Sequence, residues 1–326
     1  MRTAHTEALD EPPPLAEDAQ PMSTTPGLYG DTSTRDYGDK LTAFTSFAAP
    51  ELRSAIGTLG IGHGHRVLDV GCGTGQLTRW LAEATPAALV VGVDLARAHL
   101  HAARTRHAVP VCIQADAGRL PFGNDTFDWI WTSNTLNHLP DPVQWLRDAR
   151  RLLRRDGRVV IAQASFLPDM IFAWDARLER EVTYACRAYY CRKYGLDEAQ
   201  LSAPRDWVGR LRAAGYDDVR AETRVIERTA PLSPADRAYF AGWFRDYWDH
   251  RVQAFLSEAD WRVVQALTDP TSPAFAPRIT SGDSGTSIVP MPWCVKSSMR
   301  SAPSTCRLTR CERFTPPRHA FTAQGR

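Results

Sequence analysis

Short apolar segments alternate with amphipathic segments through the middle of this 326-residue chain. The apolar segments are rich in Val and Ile, as buried strands are. The segments between them carry apolar residues at every third or fourth position, which is typical of helices packed by one face. The pattern predicts a doubly wound α/β fold with a mainly parallel sheet. The predicted strands are RVLDV (66–70), ALVVGVD (88–94), VPVCIQAD (109–116), FDWIWTS (127–133) and GRVVIAQ (157–163).

The segments outside this alternating pattern divide the chain further. Residues 1–27 hold five acidic residues against one arginine and include EPPP, so we expect a disordered leader. Residues 28–60 have apolar residues at helical spacing and predict a helical lead-in or lid. Residues 61–230 form the predicted core, with a helical insertion at 167–200. Residues 231–280 form a predicted helical cap that is rich in aromatic residues.

The insertion and the cap are the predicted sources of acceptor selectivity. In the cap, Ser233 is the expected N-cap and Pro234 the first helical residue. Aromatic residues then crowd two faces of that helix, so one face can pack on the core and the other can bind an apolar acceptor or a second subunit. We predict that Trp174, Trp243 and Phe244 line the acceptor pocket. The insertion carries one apolar stripe, formed by Met170, Trp174, Leu178, Val182, Ala185 and Tyr189.

A glycine-rich loop follows the first predicted strand directly, in VLDVGCGTGQLT (67–78). Gly71, Gly73 and Gly75 give the spacing G-x-G-x-G, whereas the dinucleotide fingerprint is G-x-G-x-x-G. Asp69, at the end of the strand, would repel a pyrophosphate but attract the ammonium of an amino acid. The loop therefore favours S-adenosylmethionine, which has an ammonium and a sulfonium and no phosphate.

Two further carboxylates end the next two predicted strands. Asp94 can accept both hydroxyls of a ribose, which either cofactor requires, and Leu95 beside it belongs to the same predicted cofactor site. Asp116 can accept the amino group of adenine while the backbone N–H of Ala117 donates to the ring. Asp116 therefore favours S-adenosylmethionine again.

These segments together resemble the class I S-adenosylmethionine-dependent methyltransferases. The resemblance covers about residues 60 to 220 and rests on VLDVGCGTG, GVD, QADAGRLPF, FDWIWTSNTLNHLPDP and RLLRRDGRVVI in that order. It implies a Rossmann-like fold and a methyltransferase that uses S-adenosyl-L-methionine. It also implies that Asp69, Gly71 and Gly73 contact the methionine part of the cofactor, Asp94 the ribose and Asp116 the adenine.

The resemblance implies, in addition, that residues after the fourth strand lie near the transferred methyl group. These are Ser133, Asn134 and His138. His138 is a candidate catalytic base, but a residue of the cofactor shell or a cap before the next helix are alternatives. Tyr29 and Tyr37 form a lid over the cofactor or pack the lead-in helix.

The C-terminal residues depart from the family pattern. RAETRVIERT (220–229) predicts a sixth strand, but residues 281–326 then hold seven basic and two acidic residues and five prolines. We expect a disordered tail, whether an unstructured extension or the product of an altered reading frame. In the alternative, TSIVPMPWCV (286–295) docks on an edge of the sheet.

Composition limits the classes of function. The formal net charge of +2 does not indicate binding to nucleic acid. The sequence has no stretch of 18 apolar residues and no export leader, so we expect a cytoplasmic protein without a membrane partner. The seven cysteines form no CxxC pair and predict no metal site. Our hypothesis is methyl transfer to a small, partly hydrophobic acceptor in natural-product metabolism. A non-catalytic S-adenosylmethionine-binding or assembly protein and an NAD-type oxidoreductase are the alternatives.

Overall fold

A seven-stranded sheet forms the centre of the fold in the computed structural model. The structure describes residues 38–84, 89–109, 111–163, 174–202, 206–222, 224–228, 231–275, 288–291 and 295–298. The sheet order is β3-β2-β1-β4-β5-β9-β6, and β7 and β8 form a separate pair. The strands are β1 Arg66–Val70, β2 Leu89–Asp94, β3 Cys112–Gln114, β4 Phe127–Ser133, β5 Leu153–Ala162, β6 Asp217–Ala221, β7 Arg224–Glu227, β8 Ile288–Met291 and β9 Val295–Ser298.

The first five strands of the sheet are parallel, which confirms the predicted doubly wound α/β fold. Strand β1 pairs with both β2 and β4, so the order of the strands reverses on either side of β1. In such sheets, ligands bind beyond the carboxyl ends of the strands at the point of reversal. This edge of the sheet, which we call the carboxyl edge, is therefore the place to look for a site.

Helices cover both faces of the sheet, as the alternating pattern predicts. Helices α5 and α8 pack on one face through Trp145, Leu146 and Leu211. Helices α2, α3, α6 and α9 belong to the hydrophobic cluster of the other face. The helices are α1 Gly38–Phe47, α2 Ala49–Gly57, α3 Gln76–Ala84, α4 Arg97–His107, α5 Pro142–Ala149, α6 Ala176–Tyr194, α7 Glu198–Ser202, α8 Trp207–Ala213, α9 Pro234–Tyr247, α10 His250–Gln253 and α11 Glu258–Thr268.

The two helices that were predicted to shape an acceptor pocket both form. In α9, the Ser233 hydroxyl accepts a hydrogen bond from the backbone N–H of Asp236 at 3.1 Å, and Pro234 is the first helical residue, as predicted. In α6, the N-cap is Asp175. The predicted apolar stripe is buried at Leu178, Val182, Ala185 and Tyr189, whereas Met170 lies outside the described residues.

The C-terminal segment differs from the expected strand-free tail. Strand β9 lies between β5 and β6 and runs antiparallel to both, with Ile161 opposite Val295. Strand β8 pairs with β7, with Val225 opposite Pro290. A proline that lacks an N–H is tolerated there because a two-stranded ladder has an open side. Each strand has only four residues, too few to stand out among prolines and polar residues.

The single sixth strand that the sequence predicts at 220–229 is also corrected. It is two short strands in different sheets, because β6 pairs with β9 whereas β7 pairs with β8. The alternative in which residues 286–295 dock on the sheet is nearer to the structure. Within the parts of the chain that the structure describes, none of the helices combines the length and apolarity that are needed to cross a bilayer.

Candidate functional site

The glycine-rich loop leaves β1 at the carboxyl edge and is held by its backbone. Gly71, Gly73 and Gly75 have φ values of 73°, 53° and 85°, in the left-handed region that favours glycine. The backbone N–H groups of Gly71 and Cys72 both donate to the carbonyl of Val93, at 2.8 and 2.9 Å. The loop is thereby fixed against the end of β2.

Each of the three glycines also permits a close approach by another element. A Cβ atom on Gly71 would overlap the Thr135 side chain that follows β4, and one on Gly75 would lie 2.6 Å from the Cβ of Ala103 in α4. A Cβ atom on Gly73 would lie 3.1 Å from Cδ1 of Leu41, because α1 passes over the loop. The loop is therefore enclosed by β4, α4 and α1, and α1 is in the position of a lid.

Asp69 is almost completely buried beneath this loop, with 1% of its surface exposed. The Thr78 hydroxyl donates to Oδ2 of Asp69 at 2.6 Å. Burial raises the pKa of Asp69 to about 7, although the Thr78 hydrogen bond opposes the shift, and the charge of Asp94 raises it further. Because two carboxylates share this buried region, a cationic ligand would favour the ionised form of Asp69.

Asp94 joins the end of β2 to the loop. Its Oδ2 accepts a hydrogen bond from the backbone N–H of Gly73 at 2.8 Å, and its Oδ1 accepts one from Ala96 at the same distance. His99 Nδ1 lies 3.3 Å from Oδ1. Beside Asp94, the Leu95 side chain is 42% exposed and offers an apolar surface at the end of the same strand.

Asp116 and Ala117 lie at the exit of β3, next to a cavity. Oδ1 of the exposed Asp116 accepts from the backbone N–H of Gly118 at 2.8 Å and caps a short 3-10 helix, Ala117–Arg119. The Trp145 indole donates to the carbonyl of Ala117 at 2.8 Å and fixes this segment on α5. The cavity has a volume of about 450 Å³ and is lined by residues that include Ala117, Gly118, Leu120, Leu139 and Trp145.

The residues after β4 meet the end of β5. Ser133 is the last residue of β4, and Asn134 has a φ of 50° that turns the chain. The Gln163 side chain donates from Nε2 to Oδ1 of Asn134 at 3.0 Å. His138 ends a second 3-10 helix, Leu136–His138, in which its backbone N–H donates to the carbonyl of Thr135 at 2.9 Å.

The three predicted acceptor-pocket residues are brought together in the cap. The ring centroids of Trp174 and Phe244 are 5.9 Å apart, as are those of Trp243 and Phe244. Phe244 is only 1% exposed and Trp243 is 8% exposed, so both rings are packed into an aromatic core with Trp248. Trp174 is partly buried at the edge of this cluster. The predicted lid residues Tyr29 and Tyr37 lie outside the described residues.

Helix α1 joins this aromatic cap to the glycine loop. Lys40 forms an ion pair of 3.1 Å with Asp246 of α9 and lies 5.4 Å from the ring centroid of Tyr247. Phe47 stacks on Tyr239 with centroids 4.0 Å apart. Since Leu41 of the same helix covers Gly73, the cap and the loop border one region at the carboxyl edge.

Four residues at this edge were not predicted from the sequence. Thr78 of α3 contacts the buried Asp69, His99 of α4 contacts the partly exposed Asp94, and Leu41 covers the loop from α1. Gln163 directly follows β5. A polar residue at the end of a parallel strand is a signal that would have indicated Gln163, whereas the other three depend on how helices pack.

Comparison with known proteins identifies the family. A family model described as a methyltransferase domain matches residues 68–161. The chain is 30% identical over 211 residues to 27-O-demethylrifamycin SV methyltransferase of Amycolatopsis mediterranei, covering 63% of this chain and 73% of that protein. This chain is a class I S-adenosylmethionine-dependent methyltransferase. The methyltransferase is also 36% identical over 175 residues to demethylmenaquinone methyltransferase of a Mycobacterium species, covering 52% of this chain and 74% of that protein.

A third relative matches over a shorter segment. The methyltransferase is 41% identical over 111 residues to methyltransferase GfsG of Streptomyces halstedii, covering 32% of this chain and 39% of that protein. The alignment thus spans well under half the length of GfsG.

The residues at the carboxyl edge fit S-adenosylmethionine as the cofactor of this methyltransferase. The three glycines let the loop fold tightly between β4, α4 and α1, and two acids lie at the ends of β1 and β2. Burial keeps the carboxyl group of Asp69 away from water and raises its pKa, and a ligand with an ammonium and a sulfonium would stabilise the ionised form. The fit supports the cofactor and argues against a dinucleotide with a negatively charged pyrophosphate.

Proposed function

We propose that this methyltransferase acts on a small, partly hydrophobic acceptor, and that the reaction belongs to natural-product metabolism. The observation that carries the proposal is the contact of the aromatic cap with the cofactor loop through α1. An acceptor between the cap and the carboxyl edge would meet aromatic side chains on one side and the loop on the other. Trp174 and Trp243 are the proposed contacts, with Phe244 supporting them from the core.

The names of two relatives support a small-molecule acceptor. One is named for 27-O-demethylrifamycin SV and the other for demethylmenaquinone. Both matches cover more than two thirds of the relative. The support extends to the class of acceptor and not to either compound.

We assign the cofactor contacts by position along the carboxyl edge. Asp69 would meet the ammonium of the methionine part, Asp94 the ribose hydroxyls and Leu95 one face of the adenine. Asp116 and the N–H of Ala117 would meet the edge of the adenine. The three loop glycines, Ser133 and Asn134 would surround the methyl donor. Tyr29 and Tyr37 are the proposed lid residues.

The bound cofactor supplies an electrophilic methyl group on sulfur. The chain's own contribution is to hold the acceptor in line with that methyl group and to exclude water, which converts an encounter of two molecules into a step within one complex. His138 is the proposed base when the acceptor must lose a proton, because it lies in the short 3-10 helix, Leu136–His138, that follows the Asn134 turn after β4. Replacing His138 by Gln should then lower kcat most at low pH for phenol acceptors, with cofactor affinity unchanged.

The proposal is tested by incubating the protein with a methyl-labelled donor and a panel of phenols, amines and prenyl compounds. We expect label in at least one aromatic or prenylated acceptor. Recovery of cofactor binding by calorimetry without transfer to any panel member would contradict the proposal and favour a non-catalytic binding protein. The Asp94→Ala variant serves as the control for label that does not depend on the site.

A further inference from the structure

Two free thiols face each other beside the cofactor loop. Cys72 lies within the glycine-rich loop, and Cys112 is the first residue of β3. The two thiol groups hydrogen bond to each other. Both cysteines belong to one small buried cluster with Leu100, Ala103 and Val109. The pair therefore joins the loop to the strand that precedes the proposed adenine contacts.

The glycine at position 92 makes room for this pair. Gly92 of β2 is aligned with Cys112 of β3, and adjacent strands are about 4.8 Å apart. A Cβ atom on Gly92 would lie 3.0 Å from Sγ of Cys72. Because aligned residues of neighbouring strands project to the same face of a sheet, the side chain of Cys112 lies on that face too. The two sulfur atoms thus meet over Gly92, one from the loop and one from β3.

The two thiols differ in acidity. The hydrogen bond from Cys72 lowers the pKa of Cys112, and the charge of Arg104 lowers it further, although burial opposes the shift. Arg104 is held beside Cys112 because its Nη2 donates to the carbonyl of Cys112 at 2.7 Å. The same thiol–thiol hydrogen bond, with burial and the charge of Asp69, raises the pKa of Cys72. Since the thiolate is the form of cysteine that oxidants attack, Cys112 is the more reactive of the two.

Cys186 shows that a buried cysteine of this chain can have a different environment. Its Sγ donates to the carbonyl of Tyr247 at 3.8 Å, and burial raises its pKa to about 12. Such a thiol fills the core and stays protonated. The thiol contact and the neighbouring guanidinium distinguish the pair at the loop from a cysteine of this kind.

We propose that Cys72 and Cys112 are a redox-sensitive pair, and that their oxidation to a disulfide by hydrogen peroxide weakens the binding of S-adenosylmethionine. The Cys112 thiolate attacks one peroxide oxygen, the O–O bond breaks, and the hydroxide that leaves takes up the proton that Cys112 released. Cys112 is then a sulfenic acid. The sulfur of Cys72 attacks it, the S–O bond breaks and the S–S bond forms, with the thiol proton leaving in a second water. Two thiols and one peroxide thus give one disulfide and two waters.

The disulfide would act on the cofactor through the loop. An S–S bond is about 2 Å long, shorter than the contact between two separate sulfur atoms, so oxidation draws Cys72 towards β3. The backbone N–H of Cys72 donates to the carbonyl of Val93 at 2.9 Å, and that of Gly73 donates to Oδ2 of Asp94 at 2.8 Å. A movement of Cys72 disturbs both hydrogen bonds, which set the loop against β2.

The first experiment detects the bond itself. The reduced full-length protein is treated with hydrogen peroxide, a small oxidant suited to residues that are only 7% and 8% exposed. The remaining thiols are alkylated in urea, and tryptic peptides are analysed by mass spectrometry. We expect a linked pair of peptides that contain Cys72 and Cys112 and that separate on reduction with dithiothreitol. Links among other cysteines only, or sulfinic acid at either position without the link, would overturn the proposal.

The second experiment measures the effect on the cofactor. Peroxide should raise the S-adenosylmethionine Kd of the wild-type protein about 10-fold by calorimetry, and dithiothreitol should restore it. Cys112→Ala, outside the assigned cofactor contacts, should bind like the reduced wild-type protein and lose the response to peroxide. The control is Cys191→Ala, at a half-buried cysteine of α6, which should keep the response.

The outcomes separate this proposal from the proposed function. A Cys72–Cys112 link with an unchanged Kd, or a response to peroxide that persists in Cys112→Ala, would overturn the redox effect. If Cys112→Ala does not fold, the wild-type protein decides, because a loss of affinity that dithiothreitol does not reverse contradicts the disulfide. These measurements need no acceptor, so failure of the labelled panel would defeat the proposed function and leave this proposal standing.

Discussion

The two halves of the carboxyl edge consist of different types of residue. The half formed by β1, β2 and β3 is built from glycine backbone and carboxylates, and its geometry is fixed by hydrogen bonds of 2.6 to 2.9 Å within the chain. The half that borders the cap is built from aromatic rings. A charged cofactor and a partly hydrophobic acceptor would require this difference.

The largest expected effect comes from a substitution that the backbone of the glycine-rich loop cannot accommodate. Gly71→Val puts a branched side chain at a φ of 73° and onto Thr135, so it should cost roughly 3 kcal/mol or more of stability and abolish S-adenosylmethionine binding. Thermal unfolding and calorimetry measure both. Gly57→Val is the control, because a Cβ atom there meets nothing within 4 Å. Normal binding by Gly71→Val would mean that the loop does not form the site.

The second effect comes from removing β9, which supports the acceptor half. A chain that ends at residue 287 lacks both C-terminal strands, so β5 and β6 lose the ladder that joins them. We expect the melting temperature to fall by about 5 °C or more. A chain that ends at residue 298 keeps the ladder and should melt close to the full-length protein. Equal melting temperatures for the two truncations would contradict the observed pairing.

The third effect concerns Asp94 alone. Asp94→Ala removes an acceptor from Gly73 and from the proposed ribose site, and should weaken S-adenosylmethionine binding by about 1–3 kcal/mol. Calorimetry at fixed pH measures the change. Glu258→Ala is the control, since Glu258 is an exposed carboxylate on α11, away from the carboxyl edge. An unchanged Kd in Asp94→Ala would remove Asp94 from the cofactor site.

The smallest effect is the pH dependence that Asp69 imposes on cofactor binding. With its pKa near 7, Asp69 is protonated at lower pH, and a cationic ligand must release that proton to pair with the carboxylate. Affinity should therefore rise about 3- to 10-fold between about pH 6 and pH 8. Asp69→Asn should bind weakly and without this rise. A pH-independent Kd in the wild-type protein would argue against contact between Asp69 and the cofactor.

Asp69 should also make folding stability depend on pH, in the opposite direction to cofactor affinity: stability falls as the pH rises. The unfolded chain loses this proton near the ordinary pKa of 3.8, whereas the folded chain keeps it up to about pH 7. Stability from this group is therefore complete below about pH 4 and is lost as the pH rises to about 7. Asp69→Asn should be more stable than the wild-type protein above pH 7, as equilibrium unfolding in urea would show.

The same division explains what the sequence could predict. The cofactor half depends on local signals: glycine at left-handed positions 71, 73 and 75 and carboxylates at strand ends, all readable without knowing how the helices pack. The acceptor half depends on contacts between distant segments. Phe244, which was predicted to line a pocket, fills the cap core because Trp174 and Trp248 enclose it.

The C-terminal strands show the same limit in the backbone. β9 is only four residues long and is stabilised by two partners that lie far away in the chain, β5 and β6. The prolines and basic residues around so short a strand lead a sequence-based prediction to disorder. The predicted strand at 220–229 shares only residues 220–221 with β6 and includes all of β7, so the sequence located this region but not its division into two sheets.

The most direct test measures two constants in two variants. S-adenosylmethionine Kd and acceptor KM are determined for Asp94→Ala and Trp243→Ala, with the first acceptor that takes label from the panel. The division of the edge predicts that Asp94→Ala raises the cofactor Kd by about 5-fold or more with little change in acceptor KM at saturating cofactor, and that Trp243→Ala does the reverse. If each variant raised both constants equally, the two halves would not be separate sites and the account would be wrong.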